Sequence, residues 1–163
     1  MLEAGISASL IGLGIDYRQG QPERTGMDDI ISNERWISGY RSVDNEHRLQ
    51  LNLIGAIRQA VAEGRPKSEI DEIIDRLIDF TREHFDSEDA LMRLFQYPHA
   101  DNHADEHERT LQQLEELGAA HRSGRVTLTL DRVDMLSDWI RQHILTTDDA
   151  LGRYLVRLGV GPG

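Results

Sequence analysis

Two pairs of side chains in this chain have the types and spacing that bind metals: His84 with Glu88 in TREHFDSEDALM, and His103 with His107 in HADEH. A separation of four residues puts both members of a pair on one face of a helix. Neutral imidazole is a borderline donor suited to iron, zinc or copper, and two such donors on one face make a clamp. Both pairs interrupt stripes that are otherwise apolar. Burying Glu88 ionised and alone would cost several kcal/mol, on the order of what a lone buried carboxylate costs in general. A nearby dication reverses that sign. His47 and His143 lie on the stripes of two further segments, and Asp148 follows His143 by five residues in HILTTD.

A single histidine on an apolar stripe is ordinarily a core residue with a hydrogen-bonded partner. An apolar face takes ~3/7 of helical positions, so about three of seven histidines would fall on one by chance. Spacing and convergence therefore carry more than number. Five histidines and a glutamate facing one core without a metal would leave many buried polar atoms unsatisfied. His99 and His121 fall in a corner and in a loop and read as surface residues. The acidic runs DSED and ADEHE read as solvated faces. Phe85, Leu91, Met92 and Trp139 are core candidates first and pocket walls second, with Ile144 and Leu151 completing the walls.

These side chains are positioned by four helical segments. The first starts near Asp44, ends at Gly64 before Pro66, and carries the stripe Val43, His47, Leu51, Ile54, Ile57, Val61. The second opens with Ser68 and Asp71 in capping-box spacing and runs to about Phe95. Following Tyr97-Pro98, the third carries Ala100, His103, Ala104, His107, Leu111, Leu114 and Gly118, and HRSGR breaks it with Gly124 as the turn. The fourth begins near Thr129 or Asp131 and follows Val133, Leu136, Ile140, His143 and Ile144. Five residues turn ~140° around a regular helix, so a bend or helix end near Thr146-Thr147, or a lateral reach by the carboxylate, is expected if His143 and Asp148 share one target. Four amphipathic helices on short loops imply an all-α, antiparallel up-down-up-down four-helix bundle with an N-terminal extension. The expected boundaries are an extension over 1–35 and the bundle over 36–163.

The chain has 163 residues, with 18 Lys+Arg against 29 Asp+Glu, a formal charge of −11. That balance argues against nucleic acid or an anionic membrane as partner. With no cysteine, disulfides, zinc ribbons, iron–sulfur clusters and thiol chemistry are excluded, so any metal must be held by His and carboxylate. The apolar run ISASLIGLGI, residues 6–15, is short, contains two glycines and follows Glu3. It reads as neither a membrane span nor a signal peptide, which makes a cytoplasmic protein the expectation.

The pieces VDNEH (43–47), HFDSEDALM (84–92), YPHADNHADEH (97–107) and WIRQHILTTD (139–148) together resemble a bacterial hemerythrin-like domain, in family order and spacing over residues ~36–155. The resemblance implies two non-haem irons in a four-helix bundle. One iron would take His103, His107 and His143 and the other His47 and His84, with Glu88 and Asp148 bridging them beside an oxo or hydroxo group. Two residues next to the ligands depart from the family pattern: Glu46 stands where Gln is common and Asp89 where a second Glu is common.

The implied activity is reversible dioxygen binding for carriage, storage or sensing, with no catalytic residue assigned. An oxygen or redox sensor acting through the N-terminal segment and a diiron peroxidase or other oxidoreductase are the alternatives. The implied partner is dioxygen, with a signalling partner or a second copy engaged through residues 1–35.

Overall fold

Long runs of Leu, Ile, Glu, Arg and Ala at a 3.6-residue period favour helix, and every described element is helical. A computed structural model describes residues 40–160, and the helices are α1 (Arg41–Ala62), α2 (Lys67–Leu94), α3 (Ala100–Arg122), α4 (Leu130–His143) and α5 (Asp149–Arg157). A π-helical turn, Ile144–Asp148, joins α4 to α5 into a single fourth rod. The four rods form an all-α four-helix bundle, in which α1 packs on α2 and α4, and α2 on α3. The expected extension over 1–35, its apolar run and its boundary lie outside the described residues. Among the described residues no helix is long and apolar enough to cross a membrane.

Two helix starts differ from the sequence reading. The α1 helix begins at Arg41 after Tyr40, so Asp44 sits in its first turn, buried, instead of capping it. The capping box at Ser68 does not form: α2 starts at Lys67 directly after Pro66, with no side-chain cap. Proline has no N–H to satisfy and a preset φ, which suits a helix start. Asp71 is engaged elsewhere, accepting from Lys67 Nζ at 2.6 Å and lying 2.7 Å from His121 Nδ1. At the start of α4, Thr129 does act as the cap, its side chain accepting from the Arg132 N–H.

Helix ends follow the expected chemistry with one exception. Gly64 closes α1 in the left-handed region at φ 63°, with Arg65 N–H bonded back to the Ala60 carbonyl. The equivalent position after α2 is Gln96, also left-handed at φ 52°. Tyr97 N–H reaches the Met92 carbonyl at 2.9 Å, and the Tyr154 hydroxyl of α5 donates to the Phe95 and Gln96 carbonyls. Those bonds hold a conformation that glycine would take freely.

The core is divided along the bundle axis. One apolar cluster contains Leu51, Ile54, Ile57, Ile74, Leu77, Leu114, Val133, Leu136, Ile140 and Ile144. A second contains Tyr40, Val43, Met92, Tyr97, Leu151 and Leu155. Most polar stripe residues come between the two clusters in sequence: His47 between Val43 and Leu51, His84 and Glu88 between Leu77 and Met92, His103 and His107 before Leu114, and Asp148 between Ile144 and Leu151, whereas His143 sits at the edge of the first cluster between Ile140 and Ile144. The bundle thus has a polar layer enclosed by apolar layers. Gly118 lets α3 approach α2 closely, since a Cβ there would stand 3.1 Å from Ile78 Cδ1 and 3.2 Å from Ile74 Cγ2.

Candidate metal centre

The polar layer gathers His47, His84, Glu88, His103, His107, His143 and Asp148 from all four rods. Glu88 and His47 are 0% exposed and Asp148 1%. Asp148 is the hub: its Oδ2 lies 3.0 Å from His47 Nε2, and its Oδ1 lies 3.0 Å from both His103 Nε2 and His143 Nε2. Glu88 faces the same space, with His107 Nε2 at 3.2 Å, His103 Nε2 at 3.5 Å, His47 Nε2 at 3.8 Å and His84 Nε2 at 3.9 Å. The donor atoms sort into two sets, each mutually within 4.8 Å: Glu88, His103, His107, His143 and Asp148; and His47, His84, Glu88 and Asp148. Both carboxylates belong to both sets.

The five-residue spacing of His143 and Asp148 is accommodated by the π turn over Ile144–Asp148. An i→i+5 pattern widens the helix by one residue, so the aspartate returns to the face that a regular helix would carry it past. Thr146 bonds the Gln142 carbonyl with its hydroxyl at 2.7 Å, a side-chain substitute for ladder bonds the turn disturbs.

Three of the five histidines have an acid on their second ring nitrogen. Nδ1 of His84 is 2.8 Å from Glu46 Oε2, that of His107 3.0 Å from Asp89 Oδ1, and that of His143 3.2 Å from Glu106 Oε2. Each contact directs Nε2 inward. Asp89 and Glu106 belong to the runs DSED and ADEHE, which are therefore only partly solvated faces. An acid beside a metal-type histidine, as Glu46 is to His47 and Glu106 to His107, was the available signal, but each acid serves a histidine of a different helix. Phe85 stacks on His107 with centroids 3.8 Å apart and planes 7° from parallel, and sits edge-on to His143. Ile144 and Leu151 are buried as expected of walls, whereas Leu91 and Trp139 are only partly buried.

His99 is exposed, as its position suggests, but His121 is not a loop residue. The α3 helix continues to Arg122, and His121 is 5% exposed against Asp71 of α2. Gly124, left-handed at φ 73°, is the turn within HRSGR as expected, although the helix runs two residues into that segment before it.

Burial alone would raise the Glu88 carboxyl, but surrounding imidazoles outweigh it and hold the group at about 2. Asp148 is likewise held well below the usual carboxylate range, burial being overcome by the charge of His143 and by the close approach of His103, His143 and His47. Conversely, burial disfavours charge on His103, yet its hydrogen bond to Asp148 and the nearby Glu88 carboxylate raise it to about 9; His84 and His143 are also raised. With only protons to balance them, two buried anions draw protons onto the histidines.

Protons do not complete the arrangement. Both ring nitrogens of His47, Nε2 of His84, His107 and His143, Nδ1 of His103, both oxygens of Glu88 and Oδ2 of Asp148 are buried without a well-aligned hydrogen-bond partner. Native proteins leave few such atoms. Most converge on one enclosed space, and as imidazole nitrogens and carboxylate oxygens they suit first-row dications. The residues present therefore fit a pair of metal ions.

A family profile described as the hemerythrin HHE cation binding domain matches residues 38–155. Among curated proteins, a bacteriohemerythrin of Pseudomonas paraeruginosa is 27% identical over 122 residues, covering 75% of this chain and 78% of the relative. A bacteriohemerythrin of Methylococcus capsulatus is 27% identical over 109 residues, 67% of this chain and 82% of its own length. One from Stenotrophomonas maltophilia is 27% identical over 112 residues, 69% and 72% respectively. No solved structure gives a significant match.

Proposed function

The chain belongs to the hemerythrin family, and from that membership we propose that it holds two non-haem irons and binds dioxygen reversibly. The observation that carries this reading is the enclosed polar layer, with its histidine-rich donors and two carboxylates common to both sets. His103, His107 and His143 would hold one iron, His47 and His84 the other, and Glu88 and Asp148 both. Bound there, an iron pair supplies reversible two-electron exchange with dioxygen.

The remaining work falls to the chain's own residues. Only two carboxylates face the pair, and five neutral imidazoles add no charge, so the donor set favours the reduced, ferrous form more than a four-carboxylate diiron set does. The apolar clusters on either side exclude water, which is what reversibility demands: protons reaching the centre would drive the exchange to completion in one direction. Phe85 closes the His107 side by stacking, and Met92, Ile144 and Leu151 flank the layer, each buried to 2% exposure or less. Glu46, Asp89 and Glu106 fix the ring orientations of three histidines from outside the layer.

The test begins with iron analysis, followed by anaerobic reduction and dioxygen titration monitored by visible absorption. Two irons per chain and a coloured band that appears with oxygen and disappears on degassing are expected. Rapid irreversible oxidation of an iron-loaded protein would replace reversible binding with a redox-sensing or oxidoreductase role, and absence of iron would remove the reading altogether. Residues 1–35 are proposed as an extension separate from the bundle. Deletion of residues 1–33 is expected to leave iron content and oxygen titration unchanged.

A further inference from the structure

Glu106 precedes His107 on α3, yet its carboxylate serves the fourth rod. Its Oε2 accepts a hydrogen bond from Thr147 Oγ1 at 2.8 Å and lies 3.2 Å from His143 Nδ1. Those two partners sit at opposite ends of the π turn: His143 is the residue just before it, and Thr147 is the residue just before Asp148. One carboxylate thus ties both ends of the segment whose last side chain is the hub of the polar layer.

The two other acid–histidine contacts, Glu46 with His84 and Asp89 with His107, join regular helices and do not touch the turn. Thr146 cannot replace Thr147, because its hydroxyl is spent on the Gln142 carbonyl.

The competing state is regular helix through residues 144–148. There Asp148 would stand ~140° around the axis from His143 and would leave His47 and His103, which it now meets at 3.0 Å. A π turn is rare and persists where surrounding contacts select it. The Thr147–Glu106 bond exists only when the turn carries Thr147 toward α3. The His143 Nδ1–H bond to the same oxygen leaves Nε2 as the inward lone pair.

We propose that Glu106 is a positioning residue: through Thr147 it holds the π turn in the register that delivers Asp148, and through His143 it fixes the tautomer facing the metal set. This inference rests on the metal-site reading above, because Glu106 acts through side chains assigned there.

Cobalt(II) alone is the probe, added to the full chain after chelation, with affinity and ligand-field absorption as readouts and far-UV circular dichroism as the control for folding. Glu106→Gln presents an amide oxygen to both partners and is expected to stay within a few-fold of the parent protein. Glu106→Ala and Thr147→Val each remove the tie and are expected to weaken cobalt binding on the order of 10–100-fold, the cost typical of lost outer-sphere partners, with an altered spectrum. Thr147→Ser, which keeps the hydroxyl, restores the parent behaviour. Should Glu106→Ala lower helicity, Thr147→Val carries the test, since it leaves the carboxylate in place.

Unchanged affinity and spectrum in Thr147→Val overturn the proposal, as does a Glu106→Gln variant as impaired as Glu106→Ala, which would assign the effect to charge. A parent chain that takes up no cobalt sinks the metal-site reading itself. A parent that binds, beside tie-removing variants that bind equally well, sinks the positioning role alone.

Discussion

Replacing Asp148 by Asn in the chelated protein isolates the electrostatic centre of the bundle with almost no change of shape. Asp148 meets Nε2 of His47, His103 and His143 at 3.0 Å and is 1% exposed. The carboxamide can still exchange a hydrogen bond with one of these rings, but it offers no negative charge to the protonated ones. Breaking a buried ion pair from one side costs about 3–5 kcal/mol. For a domain of this size 1 kcal/mol moves the melting temperature by roughly 3–5 °C, so Asp148→Asn is expected to melt about 10–25 °C below the parent at pH 6.

The penalty must depend on pH with a definite sign. His103 is raised from 6.5 to about 9, so its contribution is fully present below pH 6.5 and is lost as pH rises through about 9. Asp148 is held below its usual 3.8, so its contribution is present above that value and is lost only as pH falls below it. Between about pH 5 and 6.5 both are in place, and the parent–variant gap is largest there. Above pH 9 His103 is neutral in the parent too, and the gap should shrink. Thermal melts followed by circular dichroism at pH 6 and pH 9.5, with chelator present throughout, measure both effects. Equal melting temperatures at pH 6, or a gap of the same size at both pH values, would refute the reasoning.

Other consequences follow from the same geometry. Metal uptake must displace the protons held by His84, His103 and His143, so affinity is expected to rise between pH 6.5 and 9; calorimetric titration in two buffers of different ionisation enthalpy counts the protons released. Metal should also stabilise the fold by roughly 4 kcal/mol per site at a thousandfold excess over Kd, and a melting temperature unmoved by chelation would contradict a shared, enclosed site. Gly118→Val forces a side chain into the 3.1 and 3.2 Å gaps to Ile78 and Ile74 and is expected to cost about 1–3 kcal/mol in urea unfolding. Gln96→Gly removes a left-handed strain of about 1–2 kcal/mol against the extra chain entropy of glycine, about 0.5–1 kcal/mol; a small gain in melting temperature is expected, and a loss would show that Gln96 is held by contacts its φ of 52° does not reveal.

The helical period alone determined much of this protein. The stripes through Leu51, Ile74, Leu114 and Val133 specify four amphipathic helices, and a spacing of four puts His84 with Glu88, and His103 with His107, on faces that have to be buried. Those are local properties, because apolar periodicity is written residue by residue along one segment. Helix starts were less legible, since Asp44 and Ser68 have capping chemistry but the chain enters one helix earlier and the other at Pro66.

Tertiary structure decided which polar group meets which. His121 is paired with Asp71 across 50 residues, and Glu106 with His143 and Thr147 across 37 and 41. Acidic runs look solvated in sequence because a carboxylate at the edge of a helix face is free or engaged according to the neighbour that packs beside it. The π turn belongs to the same class: HILTTD shows that His143 and Asp148 cannot both point inward from a regular helix, but only contacts from α1 and α3 select the widened turn that lets them. Periodicity is fixed within a helix, whereas partner choice is fixed between helices, by the packing that brings distant segments together.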